Sequence, residues 1–408
     1  MSYLRRLEVR ASDSPSVDAF NRWRVSDPTT LFDAQFQYDV QPLIFEVSTA
    51  NSGTVTHDAN KASVALTTAA VGSSTAIIQS KQYHRYIPGK SQLVYMTAVV
   101  GAAVAGVVKR IGYFDASDGV YLEQNGTTDV GFTLRTSTSG SVSNSNRVAQ
   151  SGWNLDKLDG TGGGANPSGI TLDLSKSQVL VFDLQWLGHG RVRVGFVVDG
   201  QVFYAHEFLN ANSLAVPYMK TANLPVRWES VGNGVATMYA TCVSVQSEGG
   251  AERYLAYHFG YHRASVTAGS GSQTYAFSIR PKATFNSITN RSMIRPRLFD
   301  CVVTGVNSVL VEIYYGTAVA TPTWTDLEAT YSGLQVDTAG TPSGGFKVAD
   351  FPVAAGAAVS GVDSREFFAR YPLVLDIAGT GYNHFTVYVT GLGGASACMP
   401  GVQWEEVR

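Results

Sequence analysis

From Leu31 onward the chain runs as short apolar stretches rich in Val, Ile, Phe, Tyr and Thr, broken at close intervals by Gly, Asn, Asp and Ser. Branched and aromatic side chains suit a pleated surface with one face buried, and the breakers supply the turns, so the pattern predicts an all-β fold. The stretch VRVGFVVDGQVFYAHEF, residues 192–208, makes the strongest local case. Asp199 and Gly200 can both take positive φ, as a type I′ turn requires, and β-formers flank them on each side. RIGYFDASDGVYLEQNG (110–126) repeats the logic, with Asp118-Gly119 at one turn and Asn125-Gly126 at the next. PVRWESVGNGVATMYATCVSVQSEGG (225–250) predicts a closing hairpin about Gly232-Asn233-Gly234.

A chain of 408 residues exceeds the ~250 to 300 at which single cores stop growing. Two β-domains are therefore expected, at 31–248 and 251–408, divided at Gly249-Gly250. Residues 1–30 carry Arg5, Arg6, Arg10, Arg22 and Arg24 among Ser, Asp and Pro without apolar periodicity, and predict an extended N-terminal arm. In the second domain 274–280, 309–315, 373–378 and 384–391 predict strands, and 364–370 a short helix capped by Ser364. The polar stretch 137–169, which holds Trp153, predicts a long loop excursion of the functional or partner-contacting kind. The run Thr97 to Val108 predicts two buried strands, or a strand and a turn.

Charged residues make up 15% of the chain, against ~25% in an average soluble domain. Gly, Ser, Thr, Asn and Tyr replace them, which suits short strands and tight turns, or surfaces covered by neighbours. A net charge of −2 supplies no global field for nucleic acid or anionic membrane. Thr97 to Val108, the longest apolar run, falls short of the ~18 to 20 residues of a spanning helix, so no membrane insertion is expected. MSYLRRLEVR has no apolar core of a secretory signal, and synthesis in the cytoplasm is expected. Cys242, Cys301 and Cys398 are too few and too scattered for a disulfide framework and are expected as buried thiols.

Catalytic templates fail one by one. PGKSQ (88–92) has the Gly-Lys-Ser of a phosphate loop, but His84 stands where its first glycine belongs. No GxSxG elbow and no HExxH pair occurs. His258 and His262 share a strand face, yet lie in an aromatic connector; Asp156 and Asp159 do not match the EF-hand spacing and read as turn-forming side chains. No metal and no cofactor is expected. A carboxylate pair drawn from distant strands would leave no local spacing, so glycoside cleavage stays as the last-ranked reading. Trp153, Trp186, Tyr204, Trp228 and Tyr239 are candidates for sugar stacking, weighed against core packing.

DAFNRWRVSDPTTLFDAQFQYD (18–39), RIGYFDASDGVYLEQNG, SGWNLDKLDGTG, LQWLGHGRVRVGFVVDG, NLPVRWE and SIRPKATFNSITNRS (278–292) together resemble a family of virion structural proteins of tailed bacteriophages. The resemblance covers about residues 18 to 295. It implies a concanavalin-like or laminin-G-like β-sandwich for 31–248; a second, smaller β-sandwich or jelly-roll-like domain is expected at 251–408, where the resemblance is less distinct. It also implies a non-enzymatic role on the virion exterior, in the tail, baseplate or fibre-attachment apparatus. A capsid decoration or head-fibre protein is the alternative, and a host-glycan-binding module, contacting sugar through Trp153, Asp156 and Asp159, is another. Expected partners are further copies of the chain and other virion proteins. The arm then reads as an assembly device, with Trp23 filling a neighbour's pocket, Arg22 and Arg24 bonding at its rim, and Phe32 beside them.

Overall fold

The computed structural model describes residues 16–25, 27–249, 256–356, 360–363, 371 and 373–408. Among these the only helical element is the three-residue 3-10 turn Gln150–Gly152, and everything else regular is β. The helix expected at 364–370 lies outside the described residues. Two compact units form: Met1–Ser80 with His84–Glu252, and Lys81–Tyr83 with Arg253–Arg408.

The first unit contains β1 Thr29–Gln35, β2 Phe45–Ala50, β3 Thr54–Asp58, β4 Ser63–Thr68, β5 Ser74–Ser80, β6 Gln92–Val99, β7 Val107–Phe114, β8 Gly119–Asn125, β9 Asp129–Thr136, β10 Ser143–Ala149, β11 Gln178–Leu184, β12 Val192–Val198, β13 Gln201–Phe208, β14 Val226–Gly232 and β15 Ala236–Ser247. One sheet runs β13-β12-β11-β6-β15-β4-β3, with β1 on the far half of β15; the other runs β10-β9-β8-β7-β14-β5-β2. Alternate residues of both sheets point inward to a shared core that includes Leu66, Ile78, Val94, Ile111, Phe132, Phe182 and Trp228. Phe32 belongs to that core, on β1, with its ring 5.7 Å from Phe45 and 4.6 Å from His84. It is an interior residue and not an assembly contact.

The 192–208 hairpin forms as expected, with Asp199 at φ 50° and Gly200 at φ 78°. Residues 225–247 do not make a hairpin. β14 pairs with β5 and β7 while β15 pairs with β4, β6 and β1, so Gly232-Asn233-Gly234 turns the chain from one sheet to the other. The reason is facing: Trp228 and Met238 must both enter the same core, which two sheets opposite each other allow. β6 and β7 are joined across the sheets in the same manner, with residues 100–106 between them.

The second unit contains β16 Tyr257–His262, β17 Val266–Ser270, β18 Thr274–Pro281, β19 Thr284–Phe285, β20 Ile288–Thr289, β21 Met293–Val303, β22 Ser308–Ala320, β23 Thr325–Asp326, β24 Leu334–Asp337, β25 Thr341–Val353, β26 Ser360–Asp363, β27 Phe385–Leu392 and β28 Ser396–Val407. β26-β21-β28 form one set and β25-β22-β27-β18-β24-β23 another; β17 joins them, antiparallel to β28 and parallel to β27. Phe277, Phe299, Ile313, Phe385, Val402 and Trp404 fill a core separate from the first. The expected strand at 373–378 is not one: Leu373 and Leu375 make single bridges, to Ile294 and Tyr382.

Candidate functional site

Asp18 starts the site. Its carboxylate accepts from the backbone N–H groups of Phe20 and Arg22, each at 2.9 Å, and from the Arg22 guanidinium at 2.7 Å. Asn21 takes φ 66°, Val17 bridges to Trp23, and residues 17–23 close into a miniature hairpin. The described part of the expected extended arm is therefore folded, and it lies on its own sheet. Arg193 donates to the Val17 carbonyl at 2.6 Å and Arg191 to that of Ala19 at 3.3 Å.

Arg24 is the bolt. Its guanidinium meets Asp183 on β11 at 2.6 Å and also pairs with Glu248. Asp183, with no exposed surface, accepts further from Arg193 directly opposite it on β12 at 2.7 Å, from the Tyr204 hydroxyl at 2.9 Å and from Ser91 at 2.6 Å. Burial alone would lower the Arg24 pKa; Asp183, Tyr204 and Glu248 outweigh it, and the pKa is raised. Burial first, then the Asp183 charge, raises the Tyr204 phenol. The bonds of Arg24 thus run within its own unit, where they hold the hairpin to its own sheet. Trp23 is different: it is 60% exposed on top of this anchored hairpin.

A second constellation occupies the outer face of the other sheet. Arg110 on β7 stands opposite Glu123 on β8 and Glu229 on β14, contacting them at 2.8 Å and 2.5 Å. Arg147 reaches the other oxygen of Glu123 at 2.8 Å, and Arg227 pairs with Glu229. Burial would raise the Glu229 carboxyl, but Arg227 and Arg110 prevail and hold it below the usual range. Two carboxylates on one sheet face could suggest acid–base chemistry. Chemically the face is instead a lattice of satisfied ion pairs, since the general acid of a glycosidase needs a raised pKa.

Trp153 is 3% exposed, stacked in the core 5.0 Å from Phe132, with its indole N–H donating to the Val148 carbonyl. It offers no ring face to a sugar. Asp156 is buried and accepts from the backbone N–H groups of Leu158 and Ser168, both at 3.0 Å; Asp159 is exposed and accepts from Thr161 and Asn166. Both are loop-forming side chains. The stretch 137–169 is also less loop than expected, because β10 pairs with β9, and Trp153 and Leu158 tether the segment beyond β10 to the core. Asp183, Arg193, Tyr204, Glu248, Arg110, Glu123 and Glu229 went unsingled as a set in the sequence. They fall in two sets, one on each sheet and each drawn from three separate strands, with Glu248 just beyond β15, so no local spacing marks them.

No family model and no curated protein matches the chain. Solved structures similar to it include the conserved carbohydrate esterase of Shiga toxin-encoding bacteriophage phi24B, at 13% identity over 55% of this chain and 100% of that one, with a TM-score of 0.30. Another is the CBM2 module of the evolved Dit of Lactobacillus casei BL23 phage J-1, at 8% identity over 56% and 99%, TM-score 0.35. A third is the catalytic domain of an endo-1,3-beta-glucanase from Thermotoga petrophila RKU-1, at 13% over 55% and 100%, TM-score 0.34. Likeness at that level decides neither substrate nor activity. Among the described residues no helix is long and apolar enough to cross a membrane, and no group of three or more His, Cys, Asp or Glu is placed to hold a metal.

Proposed function

We propose that the chain is a non-enzymatic structural protein of a tailed-phage particle, assembled through the surface around Trp23. The observation that carries this is a large aromatic ring, 60% exposed, on a hairpin fixed by the Arg24–Asp183–Glu248 pairs. An exposed Trp on a preorganised support costs little ordering entropy when covered, and Trp is enriched among residues that dominate interfaces. The virion part of the reading rests on the sequence resemblance. The non-enzymatic part is supported by Glu229, held below the usual carboxylate range by Arg227 and Arg110, and by the pairing of Glu123 with Arg110 and Arg147. Tail, baseplate or fibre attachment is favoured over head decoration only by that resemblance.

Sedimentation velocity of the full chain and of Trp23→Ala tests the assembly surface. The substitution is expected to shift the protein toward monomer with its melting temperature unchanged, since an exposed ring adds nothing to the core. Unaltered self-association, and unaltered incorporation into particles, would remove Trp23 from the interface. Immunogold labelling of intact phage with an antibody against 251–408 then separates tail from head.

A further inference from the structure

Arg280 on β18 lies against two aromatic rings. Its guanidinium carbon lies 4.2 Å from the centroid of Trp324 and 4.2 Å from that of Tyr382, and its Nε donates to Gln335 Oε1 at 3.0 Å. Behind the rings stands His384, stacked on Tyr382 with centroids 6.3 Å apart and tilted against Trp324 at 5.2 Å. His384 Nδ1 meets the Thr317 carbonyl at 2.9 Å, and burial presses its pKa down to about 4, so the imidazole is neutral. Arg280, Trp324 and Tyr382 are all partly exposed.

Other arginines of the unit are engaged: Arg263 and Arg291 donate to backbone carbonyls. Arg297 pairs with Glu405 and Arg408 with Glu406, whereas Arg280 has no carboxylate partner among the described residues, and its two Nη groups donate to none of them. Burial lowers its pKa, and the Tyr382 phenol and then the charge of Asp337 offset only part of that cost. Asp337 itself is committed to the Tyr275 hydroxyl at 2.7 Å and to the N–H groups of Thr323 and Gly340. Both rings lie against the guanidinium, and among the described residues only its Nε is bonded, which leaves the Nη edge to take a ligand. An in-plane pair of N–H donors is the geometry that grips a carboxylate.

We propose that Arg280, Trp324 and Tyr382 form a subsite for the carboxylate of an acidic sugar in a surface polysaccharide. The carboxylate accepts from both Nη groups, and pyranose C–H bonds lie against the exposed rims of the two rings. With Asp337 close by, the site suits a single negative charge better than the double charge of a phosphate monoester. The aromatic rims favour a sugar ring over an acidic side chain.

Affinity electrophoresis of the full chain through gels containing polygalacturonate, its carboxyl-reduced neutral form, or poly-glutamate tests this. Retention by polygalacturonate alone is expected, with Arg280→Gln lowering affinity about tenfold or more and Arg280→Lys falling between, because an ammonium keeps the charge and loses the fork. Trp23→Ala is expected to be retained like the wild type, which separates this site from the assembly surface. Equal retention of the wild type by the neutral polymer, or by poly-glutamate, overturns the assignment without any variant. So does Arg280→Gln binding as tightly as the wild type.

Discussion

Asp183 collects four side chains, Ser91, Tyr204, Arg193 and Arg24, on a carboxylate with no exposure. Removing its charge would strand the Arg193 guanidinium away from water and leave Arg24 with Glu248 alone. Asp183→Asn is expected to cost about 3–5 kcal/mol in urea unfolding. It should also release the 17–23 hairpin, read as faster amide exchange there; a variant as stable as the wild type would show the hub to be dispensable. His84 carries a pH dependence of its own. Packed between Phe32 and Tyr113, it is driven by burial down to about 3 from 6.5. The unfolded chain takes up that proton near pH 6.5 while the native state refuses it, so the stability is complete above pH 6.5 and is lost as pH falls toward 3. The slope is ~1.4 kcal/mol per pH unit in that window. His84→Phe should remove that contribution, leaving those of His206 and His384, which burial also lowers to about 4; denaturant midpoints between pH 7 and 4 would expose a slope that stays the same.

At the level of elements, turns were legible where one short signal dictates geometry and illegible where two sheets negotiate. Asp199-Gly200 announces its hairpin because few residues tolerate positive φ twice in succession. Gly232-Asn233-Gly234 carries as strong a turn signal, yet the strands it joins lie in different sheets. Which strand pairs with which is decided by distant partners such as β5 and β4. The two glycines also differ in what surrounds them. A Cβ at Gly200, at φ 78°, meets nothing within 4 Å, whereas one at Gly232 would sit 2.1 Å from the Gly106 carbonyl oxygen. Gly200→Ala should therefore cost only the left-handed penalty, roughly 1–2 kcal/mol, and Gly232→Ala clearly more. Thermal melts of the pair decide this, and equal losses would contradict the clash.

Over the whole molecule, the two apolar cores share no residue. Phe277, Ile313, Phe385 and Trp404 belong wholly to the second, and Leu66, Phe132 and Trp228 wholly to the first. A fragment of residues 253–408 is accordingly expected to give a β-type circular dichroism spectrum and one cooperative melt. A featureless melt would mean that the second unit depends on the first.

The sequence alone determined the all-β class, because β-branched periodicity and positive-φ turn pairs act over a few residues. It also pointed to FNRWR as an unusual segment, though it suggested an extended arm. What only the tertiary structure decided was the fate of single side chains. Trp153 went to the core and Trp23 to the surface, though both are tryptophans in polar stretches, because burial is set by the opposing sheet. Arg24 was spent on Asp183, 159 residues away in the chain. Among the described residues no carboxylate folded against Arg280. Such outcomes depend on three-dimensional neighbours, and a linear pattern of residue types contains no record of those.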